Sequence, residues 1–151
     1  YYDADWSGCI DDKRSTSGGC FFLGNNLISW HSKKQNCVSL SSTQAEYIGM
    51  GSCCTQLLWM KQMLADYGMT SEILIIHCDN IGAIDITKNH VHHTRTKHIE
   101  IRHHFIRELV EGKLVEIHYI DTEKQSADIF TKPLDINTFS NLQMALGICE
   151  H

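Results

Sequence analysis

The sequence has a single proline, no long apolar run and no excess of basic residues. Pro133 is the one proline in 151 residues, which excludes proline-rich linkers and collagen-like segments. The longest plainly apolar runs have four residues, so we expect no segment that spans a membrane. Thirteen Lys and Arg face eighteen Asp and Glu, a formal net charge of −5. That balance alone argues against a nucleic-acid-binding protein, because such proteins usually carry a basic excess.

The cysteines lack the pattern of a disulfide framework or a zinc site. Seven cysteines without a C-x-x-C pair favour buried free thiols in a reducing compartment. His93 and His98 have roughly the spacing of half a zinc site, but no second pair of ligands follows. No repeat or charge block divides the chain, so we expect one domain over 1–151. The start has neither initiator Met nor signal peptide, and we expect a piece of a longer polypeptide.

Hydrophobic periodicity predicts an α/β domain with a mixed sheet. Alternating residues predict a strand over 1–7, and two apolar runs joined by a Gly24-Asn25-Asn26 turn predict a hairpin over 19–32. A long helix is predicted over 42–66, opened by a capping box from Thr43 to Glu46. The remaining predicted elements are a strand buried on both faces over 72–78, a helix up to Lys88, a helix over 98–111, a strand over 114–120, and helices near 125–132 and 136–146. This order predicts a sheet that opens with an antiparallel meander.

Four acidic residues stand at places that helix and strand preferences explain poorly. Asp3 lies inside the first predicted strand, where Asp is disfavoured, and shares a face with Asp5. Glu46 lies at the top of the apolar stripe of the long helix. Asp79 directly follows a buried strand, and Asp128 lies in the first turn of a predicted helix. Taken singly, each also fits a structural role: an exposed strand face, a capping box or helix capping.

Taken together, the four acids predict a site for divalent cations. They come from separate elements and are expected at the same end of the sheet. Carboxylates gathered at one point repel one another, and such a cluster persists when divalent cations neutralise it. Oxygen ligands favour Mg²⁺ or Mn²⁺ over zinc. Two such ions about 4 Å apart can activate a water and stabilise the leaving oxygen in phosphodiester cleavage.

Seven short blocks form an ordered set along the chain. The blocks are Tyr2-Asp3-Ala4-Asp5-Trp6-Ser7-Gly8, Arg14-Ser15-Thr16-Ser17-Gly18, Ile28-Ser29-Trp30, Leu40-Ser41-Ser42-Thr43-Gln44-Ala45-Glu46-Tyr47, His77-Cys78-Asp79-Asn80, Arg95-Thr96-Lys97-His98-Ile99 and Ala127-Asp128-Ile129-Phe130-Thr131-Lys132-Pro133-Leu134. In this order they resemble the ribonuclease H domain of Ty1/copia-type retrotransposon polyproteins, over residues 2 to about 146. The phrase over residues 51–60 resembles plant elements in particular.

The resemblance implies a fold, an activity and a set of metal ligands. The implied fold is α/β and ribonuclease H-like, a five-stranded mixed sheet with three antiparallel strands first and then two parallel ones, flanked by helices. The implied activity is cleavage of the RNA strand of an RNA–DNA hybrid with two Mg²⁺, for which Mn²⁺ can substitute. The family's D-E-D-D acids, which are both catalytic residues and metal ligands, fall on Asp3, Glu46, Asp79 and Asp128. Retroviral-type integrases have the Glu last, so its second place favours ribonuclease H.

The resemblance also implies a biological context, and the chain departs from the sequence pattern of its relatives at three points. In this family the domain follows the reverse transcriptase in one polyprotein, which makes that enzyme the implied partner, in cytoplasmic virus-like particles or the nucleus. The loop over 121–125 lacks the His that cellular ribonucleases H often carry before the final acid. Asn89-His90 stands where copia relatives commonly have Asn-Pro, and Asp3 lies unusually near the start of its strand. Asp3 is preferred to Asp5 as the metal ligand because the small Ala4 follows it, and Asp5 is left as a supporting group.

A basic segment lies within the otherwise acidic chain. Between residues 88 and 107, five Lys or Arg stand against one acid, a local charge of +4. Such a segment predicts contacts to backbone phosphates, and a solvated helix face is the alternative. The candidates for nucleic-acid contacts are Arg95, Lys97 and His98 in this segment and, by resemblance, Ser17 and Asn80. A catalytically silent ribonuclease H-like module that binds nucleic acid or protein is the alternative function, and the presence of all four acids argues against it.

Overall fold

The computed structural model describes residues 1–9, 11–70, 73–88 and 97–148, with residues 97–103 described by their backbone alone. The strands are β1 (Tyr2–Asp5), β2 (Thr16–Leu23), β3 (Asn26–Lys34), β4 (Leu74–Cys78) and β5 (Val115–Tyr119). The α-helices are α1 (Ser42–Asp66), α2 (Ile81–Lys88), α3 (Lys97–Glu111) and α4 (Ile136–Ala145). Two short 3₁₀ turns, Thr122–Lys124 and Asp128–Phe130, lie between β5 and α4. None of the described helices is long and apolar enough to cross a membrane.

Backbone hydrogen bonds join the strands into two ladders. β1, β2 and β3 form an antiparallel meander in which Asp3 lies opposite Gly18. β4 and β5 pair in parallel, with Leu74 opposite Val115. The predicted α/β organisation, three antiparallel strands followed by two parallel ones, is therefore confirmed. The ladders are a three-stranded and a two-stranded sheet rather than one continuous sheet.

The main apolar core lies between the strands and α1. The structure gives α1 the bounds that the periodicity predicts, and the first half of this helix is buried. Tyr2 of β1, Met50 of α1 and Ile76 of β4 are at most 1% exposed and belong to one apolar cluster. The described cysteines are all free thiols, four of them buried, as the sequence predicts: Cys20, Cys53, Cys54 and Cys78.

Gly49 allows α1 to approach β1 and β2 closely. A Cβ atom at this position would lie 2.7 Å from a ring carbon of Tyr2 and 2.8 Å from Ser17 Oγ. Both neighbours are buried, so neither has open space to move into. Because Glu46 lies one turn before Gly49 on the same helix, this contact also sets the height of Glu46 above β1.

The predicted capping box at Thr43 and Glu46 is wrong. Ser41 is the N-cap residue, with extended backbone angles, and its Oγ accepts a hydrogen bond from the Gln44 backbone N–H at 3.2 Å. The Gln44 side chain reaches back and accepts from the Leu40 backbone N–H. Three consecutive hydroxyl residues offer alternative caps, and the earliest one is used. The carboxylate of Glu46 is therefore not engaged in capping the helix.

Two further predictions are corrected by the fold. The helix predicted near 125–132 is replaced by 3₁₀ turns, because the extended backbone of Gln125 interrupts it and its side-chain amide donates to Tyr2 O at 2.9 Å. β4 is buried on one face only, since Ile76 is 1% exposed and Ile75 50% exposed. The open face of β4 lines a groove of about 910 Å³ that runs past Phe22 and Leu57.

Gly49→Ala tests the close approach of α1 to the sheet. Alanine has the higher helix propensity and would stabilise an ordinary helix position by about 1 kcal/mol. We expect the opposite here, a loss of about 2 kcal/mol in the free energy of unfolding, because the methyl group overpacks a filled contact. Urea denaturation measures the change. Ser52→Ala, at an exposed position of the same helix, is the control and should change stability by less than about 0.5 kcal/mol. A stabilised Gly49→Ala variant would contradict the close packing.

Candidate metal-binding active site

The fold brings all four predicted acids into one cluster. Asp3 lies in β1, Glu46 in the second turn of α1, Asp79 directly after β4, and Asp128 at the start of a 3₁₀ turn. Oxygen atoms of Asp3, Asp79 and Asp128 all lie within 4.8 Å of one another. Ligand atoms of Glu46, Cys78 and Asp79 form a second group with the same spacing. Asp79 belongs to both groups, so the two sets of ligands meet at the carboxyl end of β4.

Asp3 of β1 and Asp128 of the second 3₁₀ turn lie close together because the chain segment after β5 packs on the meander. A Cβ atom at Gly18 would lie 2.8 Å from Phe130 Cβ, so the absence of a side chain there lets the turn lie directly on β2. Gly18 is the residue opposite Asp3 in the ladder. Thr131, at the end of the turn, donates a short hydrogen bond from its Oγ1 to Asp3 Oδ2. The turn thereby brings Asp128 to Asp3 and orients the Asp3 carboxylate.

Backbone and side-chain donors hold two of the other carboxylates. Glu46 Oε1 accepts a hydrogen bond from the Ala4 backbone N–H at 3.1 Å, which ties α1 to β1. Asp79 Oδ2 accepts from Thr122 Oγ1 at 2.8 Å. Thr122 lies in the loop over 121–125, in which the expected His is missing. That loop therefore supplies a hydroxyl to the acid cluster.

Two carboxylate oxygens in the cluster are buried and make no hydrogen bond of normal geometry among the described residues. They are Glu46 Oε2 and Asp128 Oδ1, of residues that are each 4% exposed. The buried Tyr2 hydroxyl interacts with the Glu46 carboxyl and lowers its pKa, but it also lacks a hydrogen bond of normal geometry. A buried, unsatisfied polar atom is costly, and more so when it carries charge. A divalent cation would satisfy both oxygens, and the donor set, carboxylates with one thiol beside them, suits Mg²⁺ or Mn²⁺. The residues present therefore fit such a cation.

Burial and like charge both oppose ionisation of Glu46 and Asp128. Burial, reinforced by the charge of Asp3, raises the pKa of Glu46 to about 9. Burial also raises the pKa of Asp128 to about 6, although the hydrogen bond from Lys132 works in the opposite direction. Asp5 lies in neither group of ligands, and burial followed by the charge of Asp3 raises its pKa. Glu46 and Asp128 are therefore harder to ionise than ordinary carboxyls, and a divalent cation would favour their ionised forms.

Lys132 supplies a positive charge inside the acid cluster. Its Nζ lies 2.8 Å from Asp128 Oδ2, and its side chain is 31% exposed. Burial lowers the pKa of Lys132, but the hydrogen bond to Asp128 and the charges of Asp3 and Asp128 outweigh burial and raise it above its ordinary value. No role for Lys132 is predicted from the sequence beyond its place in the final block. Its place four residues after the last acid, within the final block, is the signal that could have found it.

The candidates for nucleic-acid contacts are only partly described. Ser17 is buried, and its Oγ accepts a hydrogen bond from Gln35 at 2.8 Å, so its position gives no support to a contact with nucleic acid. Asn80 Oδ1 accepts from the Ala83 backbone N–H at 2.9 Å and caps α2 beside Asp79. The two remaining groups are Arg95, which lies outside the described residues, and Lys97 with His98, whose side chains also lie outside them. These assignments stay predictions.

The fold of the chain is that of ribonuclease H. LC11-RNase H1, solved in complex with an RNA/DNA hybrid, superimposes with a TM-score of 0.59 over 87% of this chain and 91% of its own. Sequence identity between the two is 15%, so this likeness shows the fold alone. No family model matches the sequence.

In sequence, the chain is similar to one segment of transposon polyproteins from plants. It is 38% identical over 148 residues to the retrovirus-related Pol polyprotein of transposon TNT 1-94 from Nicotiana tabacum. It is 41% identical over 149 residues to that of transposon RE2 from Arabidopsis thaliana. Each match covers 98% of this chain and about a tenth of the polyprotein, 11% and 10%. The resemblance to the ribonuclease H domain of Ty1/copia-type retrotransposon polyproteins is thereby confirmed.

Glu46→Gln tests the cost of burying this carboxyl. Between pH 4.5 and about 9, the folded protein keeps a proton on Glu46 that the unfolded chain releases, so stability falls as the pH rises through this range. In EDTA, we expect Glu46→Gln to match the wild type near pH 4.5. At pH 8 the variant should exceed the wild type by at least about 1 kcal/mol. Thermal melting across this range measures both. Glu123→Gln, an exposed acid, is the control, and equal pH slopes for wild type and Glu46→Gln would contradict the raised pKa.

Proposed function

We propose that this chain is a ribonuclease H, which hydrolyses the RNA strand of RNA–DNA hybrids with two divalent cations. The observation that carries the proposal is the cluster of Asp3, Glu46, Asp79 and Asp128, with two buried oxygens that make no hydrogen bond of normal geometry among the described residues, on a ribonuclease H fold. The RNA/DNA hybrid bound to the similar LC11-RNase H1 supports the substrate class. The similarity to transposon polyproteins supports a role in reverse transcription.

The two ligand groups indicate which residues would bind each cation. Asp3, Asp79 and Asp128 would hold one cation, and Glu46 with Asp79 the other. When bound, two Mg²⁺ or Mn²⁺ lower the pKa of the attacking water and stabilise the leaving oxygen. The water oxygen would bond to phosphorus, the bond from phosphorus to the 3′ oxygen would break, and a proton lost by the water would be balanced by one gained by the 3′ oxygen, which leaves a 5′-phosphate and a 3′-hydroxyl. Thr131 and Thr122 act by holding the carboxylates of Asp3 and Asp79 in place.

The substrate would be held through its shape and its phosphates rather than through base identity. The basic segment over 88–107 is the candidate for the phosphate contacts. A net charge of −5 gives this chain little long-range attraction for nucleic acid. The reverse transcriptase of the same polyprotein is the proposed partner that supplies the remaining affinity.

Cleavage of a labelled hybrid tests the proposed activity. With Mg²⁺, we expect the wild type to cut the RNA strand and leave the DNA strand intact. Asp79→Asn should lower the rate at least about a hundredfold, which corresponds to about 2.7 kcal/mol of transition-state stabilisation. EDTA should abolish cleavage. Gel analysis of the 5′-labelled RNA gives the rates.

Asp121→Asn is the matched control for this assay. Asp121 is an exposed acid that pairs with Lys124 at 3.3 Å and lies outside both ligand groups. Its replacement should leave the rate within about twofold of the wild type, since surface substitutions of this kind change little. A folded wild type that leaves the RNA intact contradicts the enzymatic proposal. If that protein still binds the hybrid, the silent binding module is the better description.

A further inference from the structure

Lys132 places an ammonium group on one of the carboxylates proposed to hold a cation. Its Nζ lies 2.8 Å from Asp128 Oδ2, which is a charge-assisted hydrogen bond. We propose that Lys132 is a built-in competitor of the divalent cation: the ammonium on Asp128 weakens cation binding, and a bound cation in turn displaces the ammonium. The inference rests on the proposed function and adds to it a control of cation affinity.

The backbone between Asp128 and Lys132 is held in a compact turn. The carbonyl oxygen of Asp128 accepts from the Thr131 N–H at 3.1 Å and the Lys132 N–H at 3.3 Å. Pro133 follows and restricts the backbone conformation of the residue before it. The lysine therefore begins from a defined point four residues beyond the acid. The contact between its ammonium and Asp128 is therefore positioned by an ordered turn.

The two oxygens of Asp128 are used differently. Oδ2 bonds to Lys132, whereas Oδ1 is buried and has no partner among the described residues. Oδ1 is thus open to a cation, and Oδ2 is not while the ammonium is there. A divalent cation beside Oδ1 would also repel the ammonium directly, because the two charges have the same sign and share a partly buried site. Both effects set cation binding against the Lys132 contact.

The position of Lys132 at the edge of the cluster makes its release possible. The Lys132 side chain is 31% exposed, whereas that of Asp128 is 6% exposed. The ammonium can therefore move into solvent without breaking the core, while the carboxylate stays in the cluster. A released ammonium beside a nuclease site is also placed to meet a backbone phosphate. Lys132 would therefore act as an internal counter-ion that leaves Asp128 when a cation binds, and not as one half of a permanent ion pair.

The decisive measurement is a Mn²⁺ titration of the whole chain without substrate, followed by the EPR signal of free Mn²⁺. We expect Lys132→Met to lower the Kd on the order of tenfold, equivalent to about 1.4 kcal/mol. Lys132→Arg keeps the charge and should stay near the wild type. Lys124→Met is the matched control, since Lys124 pairs with Asp121 at 3.3 Å outside the cluster, and it should change the Kd less than about twofold. In an Asp128→Asn background, Lys132→Met should have no further effect, because the proposed competition acts through Asp128.

Each outcome decides the inference separately from the proposed activity. A Kd for Lys132→Met equal to or weaker than that of the wild type overturns the inference and makes Lys132 a support for Asp128, whereas hybrid cleavage and its loss in Asp79→Asn would still stand. An equal gain in Lys124→Met also overturns it, because the effect would then be one of net charge. If neither wild type nor Lys132→Met binds Mn²⁺, both the inference and the two-cation proposal fail.

Melting with and without Mn²⁺ provides a second readout. In EDTA, Lys132→Met should melt below the wild type, because the cluster loses its counter-charge. In saturating Mn²⁺ the difference should close or reverse. A deficit of the same size in both conditions would indicate an ordinary packing or folding role and would count against competition. Lys132→Gln repeats the test with a polar side chain if the Met variant folds poorly.

Discussion

The repulsion among buried carboxylates is the interaction on which the rest of this structure depends. Asp3, Glu46 and Asp128 are each at most 4% exposed, and Asp79 joins them at the end of β4. Like charges in such a place raise the free energy of the fold unless protons, an ammonium or metal ions neutralise them. Burial raises the pKa of Glu46 and Asp128, repulsion from Asp3 adds to the effect, and the Lys132 contact offsets part of it at Asp128. The neighbouring apolar core, which includes Tyr2, Ala45 and Cys78, contributes burial free energy that offsets the cost of this repulsion.

The parts of the molecule that the sequence predicts best are those determined by local pattern. The bounds of α1 follow from an apolar stripe over many turns, β1 follows from alternation, and β4 follows from a short apolar run. The four acids could be chosen because each interrupts such a pattern, and the family resemblance then ranked Asp3 above Asp5. What could not be predicted depends on contacts between distant segments. The Gln125 amide on the Tyr2 carbonyl replaces a predicted helix by turns, and no periodicity carries that information.

The same reason explains which members of the site were missed. Thr122 has no unusual position in the sequence, and Thr131 and Lys132 are marked only by lying in the final block, since threonine and lysine are common in polar turns. Their roles arise because one turn lies on β2 at Gly18 and another lies beside Asp79. The net charge was misleading for a related reason. The net charge of −5 combines two separate regions: an acidic cluster, which metal ions could neutralise, and a basic segment of +4. A single total does not show that the two regions are distinct.

The two sides of the acid cluster differ in how they are built, and this has a consequence for how such a protein can evolve. Glu46 comes from a long helix wedged against β1 at Gly49, and Asp3 comes from the sheet itself. Asp79 and Asp128 come from the ends of short elements, held by residues of the segment over 121–134. Substitutions in that segment can therefore adjust the site without repacking the core. Selection on cation use or substrate choice can act there, whereas substitutions in α1 or the meander would disturb the packed core.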